Sequence, residues 1–258
     1  MILNLPYEGN EKLRELERRI SQHEGLKTYW YCSNVNVIDR MGINDHGPVH
    51  IKIVANLALK ILRLLRAGGL EPSVVKDHHL SPEEAEVIVV LAAALHDIGH
   101  IVHRENHEEF SITLAPRLIH ELLGGLYEPG SRELAILTAE TLHAIYAHKT
   151  EVEPLTVEAG VLKVADALDM EQGRARIPFQ IGGITIHSVS AMAIDKVQVR
   201  RGKEKPIEIR VKMSNSAGIF QLDNLLKRKL EHSGIKDYFE INVEILEERK
   251  IVEQYRLS

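Results

Sequence analysis

Residues 87–97, VIVVLAAALHD, constrain this chain more than any other stretch. Apolar side chains fall on every face, so a helix here belongs at the centre of a helical core. Its start is encoded just upstream. Ser81 caps it, Pro82 suits the first turn, and Glu84 completes a capping box. Its end is the anomaly. His96 and Asp97 put two ionisable groups at the end of a buried helix, where unpartnered polar groups are costly. A divalent cation would satisfy both, because neutral imidazole nitrogen and carboxylate oxygen are ligands for zinc, iron, manganese and nickel. A carboxylate can also bridge two ions through its two oxygens, which imidazole cannot. His96 and Asp97 can therefore serve one ion together while Asp97 reaches a second.

The surrounding chain reads as mainly α. Leu13, Leu16 and Ile20 give residues 10–24 an amphipathic helical face. Residues 27–45 have mixed periodicity and read as irregular with at most a short helix. Gly47-Pro48 opens a helix to about residue 66, stopped by Gly68-Gly69. Further helices fit 106–123, 132–148 and 157–171, with caps at Ser131 and Thr156. From about residue 180 the texture changes. AIDKVQVRR and PIEIRVKMS alternate with period two around the turn RGKEKP, a helix fits 217–232, and YFEINVEIL reads as the last strand. The expected organisation is an all-α domain over 1–176, with its core at about 45–172, followed by a small α+β domain over 183–258.

Fourteen histidines are available, and four of them (His96, His100, His103, His107) would share one face of a continuous helix. His50 in HGPVHIKIV, His96-Asp97 in LHDIGH, and Asp166 in KVADALD stand in the order H…HD…D. Over residues 45–172 this pattern resembles the HD-domain superfamily. The resemblance implies an all-α bundle that hydrolyses phosphate esters at a site of one or two metals. Members with two metals add two histidines between HD and the last Asp, and His107 in HEEFS and His148 in AIYAHKT look like those positions. The implied ligands are His50, His96, Asp97, His107, His148 and Asp166, with Asp97 bridging. His120 or His103 competes with His107, and His143 with His148. Without the extra pair the site reduces to one ion on His50, His96, Asp97 and Asp166. The expected cofactor is one or two divalent transition metals: Mn, Fe, Ni, Co or Zn.

The implied chemistry is attack of metal-activated hydroxide on phosphorus in a nucleotide or other small phosphorylated metabolite. Many dinuclear members have Lys where this chain has His100. His100 or His103 is the candidate proton donor, because free imidazole titrates near neutral pH. Arg40, His46 and Lys149 are candidate substrate contacts, followed by Arg174 and Arg176; a solvated surface is the plainer reading of Lys149 and of these last two. Two other functions fit the same family: a mixed-valent diiron oxygenase and a non-catalytic nucleotide-binding regulator.

Charge and composition narrow the partners. Net charge is −5, and the segment from residue 183 is mildly basic, with 14 basic against 11 acidic side chains. Its hairpin cations, Lys196 to Lys212, read as a solvated charged edge, since no aromatic side chains interleave for base stacking. Nucleic acid is not an expected partner. A small phosphorylated substrate is expected, and a second copy of the chain is the other candidate. One cysteine, Cys32, excludes an internal disulfide and fits a cytoplasmic protein. No apolar run approaches the roughly 18 residues of a membrane span.

Overall fold

The computed structural model describes residues 1–7, 9–171, 190–247 and 250–257. The fold class is mainly α, with a small sheet formed by the C-terminal residues. Helices α1 (Glu11–Gln22) and α2 (Glu24–Asn34) lead into a widened π-turn over Val35–Arg40. Then come α3 (Pro48–Ala67), α4 (Ser73–His78), α5 (Pro82–Leu95), α6 (His107–Leu123), α7 (Arg132–Ala147) and α8 (Val157–Ala167).

α5 is the buried axis. The capping box between Ser81 and Glu84 is formed, and every residue from Glu84 to Leu95 is buried. α3, α7 and α8 pack against it, with α1 and α4 closing further faces. Trp30 on α2 is buried beside it, and its indole N–H donates to the Ala94 carbonyl at 2.9 Å. α5 ends at Leu95, and the chain turns through Asp97 into a short 3-10 segment, Ile98–Ile101. The four closely spaced histidines therefore do not share one helix. The turn needs Gly99, because a Cβ there would lie 2.0 Å from the His107 carbonyl oxygen. Ser111 on α6 locks the same turn. Its hydroxyl donates to the His96 carbonyl at 2.6 Å and accepts from the Gly99 N–H at 2.9 Å.

Residues 27–40, within the 27–45 stretch whose mixed periodicity suggested irregular chain, are helical. The π-turn shifts the phase of the apolar positions, which hides the helix from a 3.6-residue reading. α4 is a second unpredicted helix, its first N–H groups taken by the buried carboxylate of Glu158.

The sheet has the order β1-β2-β3-β4: β1 (Ile194–Arg201), β2 (Ile207–Met213), β3 (Phe239–Glu247) and β4 (Lys250–Leu257). β1–β2 and β3–β4 are antiparallel, and β2–β3 are parallel. YFEINVEIL is thus followed by one more strand. The crossover between β2 and β3 is α9, which starts as a 3-10 turn at Ser216–Gly218. It continues through Ile219–Gln221 and a π-turn, Leu222–Lys227, into Arg228–Glu231. The Asn215 side chain caps its first turn by accepting from the Ala217 N–H. The apolar sheet face includes Ile194, Ile209, Val211, Ile241 and Val243, all buried. Three of the hairpin cations are tied down on the other face. Arg200 forks onto Glu208 at 2.7 and 2.9 Å, and Arg210 and Lys212 pair with Glu244. The sheet packs against α3, and α9 packs against α8. Among the described residues no helix is long and apolar enough to cross a membrane.

Candidate metal centre

Helix ends converge on Asp97. His50 enters from the first turn of α3, His96 and Asp97 from the end of α5, His107 from the start of α6, His148 from the end of α7, and Asp166 from the last turn of α8. His50, His96, His107, His148 and Asp97 are buried, and Asp166 is 14% exposed at its side chain. These are the six sequence-implied ligand positions, and the fold brings all of them together.

Hydrogen bonds set the tautomer of each imidazole. His96, His107 and His148 direct Nδ1 at the backbone carbonyls three residues earlier, those of Ala93 (2.9 Å), Arg104 (3.1 Å) and Ile145. A carbonyl only accepts, so Nδ1 carries the proton. His50 Nδ1 donates to Asp169 Oδ2 at 2.6 Å. In all four rings Nε2 faces Asp97, where a divalent cation would take the lone pair in place of a proton. The Asp97 carboxylate divides between them. Oδ2 lies 3.3 Å from Nε2 of both His50 and His96. Oδ1 lies 3.4 Å from His107 Nε2 and 3.9 Å from His148 Nε2. Asp166 Oδ1 joins the first group, 3.4 Å from His50 and 3.8 Å from His96. Four overlapping sets of donor atoms among the described residues are each close enough to hold one ion: His50–His96–Asp166, His96–Asp97–His148, Asp97–His100–His107 and His107–Glu108–His148. Lone pairs converging on one shared carboxylate fit a divalent cation site.

The electrostatics ask for positive charge. Burial works against ionisation of Asp97, yet the facing His96, His100, His107 and His50 hold it well below the usual carboxylate range. Burial likewise opposes ionisation of Asp166, and Lys229, His50 and His96 outweigh it. Burial alone would lower His96, but Asp97 and Asp166 push it up to about 9. His148 is kept neutral by burial and by the positive charges of His96 and Lys229.

The other candidates separate clearly. His120 is exposed on α6. His143 Nε2 accepts from the Leu155 N–H at 3.0 Å, in the α7–α8 connection. His103 is exposed, with Nδ1 accepting from the Glu105 N–H, so it does not reach the site as a proton donor. His100 is buried beside Asp97, but Nδ1 faces the Asp97 carbonyl and Nε2 accepts from Arg104 Nη1 at 2.8 Å. Burial, with Arg104 and His107 nearby, draws its pKa down to about 3. A neutral ring with both nitrogens engaged does not suit the expected proton donor. Arg40 is exposed, bonded to Asn36 Oδ1, and does not line the cavity. Arg174 and Arg176 lie outside the described residues.

A cavity of about 160 Å³ opens onto Asp97, His107, His148 and Asp166, and His46 and Lys149 also line it. The Lys149 ammonium is paired with Glu109 at 2.8 Å. Arg104, Glu108, Asp169 and Lys229 also line the cavity and were missed. Asp169 had a signal: it lies three residues after Asp166 in ADALD, at the same end of the helix. Glu108 adjoins His107, and its carboxylate is 3.2 Å from His107 Nδ1. Lys229, paired with Asp166 Oδ2 from 63 residues away, had none.

Helix-end histidines and aspartates around a shared buried carboxylate define a metal-binding helical bundle. Residues 49–171 match the family model for the HD domain, and the chain belongs to the HD-domain superfamily of metal-dependent phosphohydrolases. It is similar to the uncharacterized protein MJ1020 of Methanocaldococcus jannaschii. The two are 43% identical over 233 residues, covering 90% of this chain and 89% of that protein. No solved structure matches the chain.

Proposed function

We propose that this protein hydrolyses a phosphate ester or anhydride of a nucleotide or another small phosphorylated metabolite. On this reading His50, His96, Asp97, His107, His148 and Asp166 hold two divalent transition-metal ions, with Asp97 shared between them. The observation that carries it is the division of Asp97, Oδ2 toward His50 and His96 and Oδ1 toward His107 and His148. Bound divalent cations would supply water activated near neutral pH and positive charge for the phosphoryl oxygens. The chain's own residues orient and select. The Nδ1–H bonds hold each ring with its lone pair inward, so little reorganisation is needed on binding. Arg104, on the cavity wall with neutral His100 as partner, offers forked donors to a phosphoryl group. Lys149 adds a second cation at the wall, shared with Glu109.

The test is metal analysis of protein purified without added metal, followed by a phosphatase and phosphodiesterase substrate panel with manganese, nickel and cobalt. Phosphate release that disappears in Asp97→Ala supports the reading. Iron content with oxygen consumption and no phosphate release would replace it with the oxygenase alternative.

A further inference from the structure

We propose that Lys229 is a substrate-binding residue that takes a phosphoryl oxygen, so that α9 completes a site otherwise built from residues before 171. This rests on the phosphohydrolase reading above.

The Lys229 side chain is only 10% exposed. Its ammonium carries three N–H donors, and Asp166 Oδ2 accepts one; no other acceptor among the described residues is bonded to it. A buried cation with unused donors is costly unless acceptor oxygens reach it. The space beside it is the cavity that exposes Asp97, His107, His148 and Asp166. Lys229 does not stand where an ion would. It bonds Asp166 Oδ2, whereas Oδ1 is the oxygen facing His50 and His96. The cavity's other cations already have partners: Lys149 has Glu109 and Arg104 has His100.

Local structure aims the residue. The π-turn Leu222–Lys227 widens α9 immediately before Lys229, and Leu225, one turn earlier, also lines the cavity. Such widened turns recur where a helix must redirect a functional side chain. The seat is close: a Cβ on Gly160 of α8 would lie 2.3 Å from the carbonyl oxygen of Ser233, just after α9. The close approach of Gly160 to the Ser233 backbone seats the end of α9 against α8, the helix that carries Asp166.

The experiment uses the full chain loaded with manganese. Inorganic phosphate is titrated calorimetrically into wild type, Lys229→Met and Lys229→Arg, and metal per chain is measured by mass spectrometry. Loss of a charge-assisted bond to phosphate predicts phosphate binding about 10–100-fold weaker in Lys229→Met, with metal content unchanged and partial recovery in Lys229→Arg. Wild-type phosphate affinity in Lys229→Met overturns the proposal. So does loss of metal in step with loss of phosphate, which would make Lys229 a holder of Asp166 only. If Lys229→Met does not fold, Lys229→Gln is read by the same two measurements. Metal-loaded wild type that binds no phosphate at all would instead sink the phosphohydrolase reading beneath it.

Discussion

Replacing Asp169 by Ala removes the acceptor that orients the His50 ring. The bond is short, 2.6 Å from Nδ1 to Oδ2, and both side chains are buried, so water cannot replace it at low cost. On the opposite side of the ring, Nε2 lies 3.3 Å from Asp97 and 3.4 Å from Asp166. A ring free to rotate or change tautomer would no longer present its lone pair there. Hydrogen bonds to a charged group contribute about 1.5–3 kcal/mol. Removing the outer partner of a metal-binding imidazole typically weakens metal binding about 10–100-fold, or about 1.4–2.7 kcal/mol. The two ranges agree, so manganese should bind Asp169→Ala about 10–100-fold more weakly. Asp169→Asn, which keeps an acceptor but not the charge, should fall between that variant and wild type. Calorimetric titration of metal-free protein measures this, with circular dichroism melts as the check on folding. A folded Asp169→Ala protein with wild-type manganese affinity would refute the claim that Asp169 holds His50 in its binding orientation.

Other perturbations test other parts. The Lys163 ammonium is buried and donates to the carbonyls of Lys149, Thr150 and Val152, so Lys163→Met orphans three acceptors in the loop after His148. A loss of about 2–4 kcal/mol is expected, seen as a fall of roughly 5–15 °C in Tm by calorimetry. Gly99→Ala should cost at least about 3 kcal/mol or misplace α6, since its Cβ would overlap the His107 carbonyl; a wild-type melt would contradict this. His103→Ala and His120→Ala should leave metal per chain unchanged, whereas His107→Ala and His148→Ala should reduce it. Glu208 is held at about 2 by Arg200, with Asn242 assisting. A depressed carboxylate stabilises the fold above its unfolded value of about 4.5 and loses that contribution as pH falls toward 2. Glu208→Gln should therefore cost about 1–2 kcal/mol at pH 7, discounted for the exposed guanidinium, and the gap should close by pH 2–3 in a melt series.

Where local signals were complete, the sequence was readable. α5 is legible through its capping box and all-round apolar surface, and its polar end, His96-Asp97, points to the site. The choice of His107 over His120, and His148 over His143, was not local. It depends on which helix end faces Asp97, and the deciding detail is Nδ1 bonding to the carbonyl three residues back. The α2 extension escaped because a π-turn breaks the 3.6-residue phase. β4 escaped because Glu248-Arg249, joining it to β3, contains none of the residues that mark a turn. Lys229 could not be found at all: its pairing with Asp166 exists only once α9 packs on α8.

If Asp97 is shared between two ion positions, the chain binds metal with a stoichiometry of two that depends on Asp97. Metal stoichiometry by mass spectrometry, on wild type, His148→Ala and Asp97→Ala after manganese loading and desalting, tests it most directly. Two ions per wild-type chain are expected, fewer in His148→Ala and almost none in Asp97→Ala. Full metal content in Asp97→Ala would contradict it.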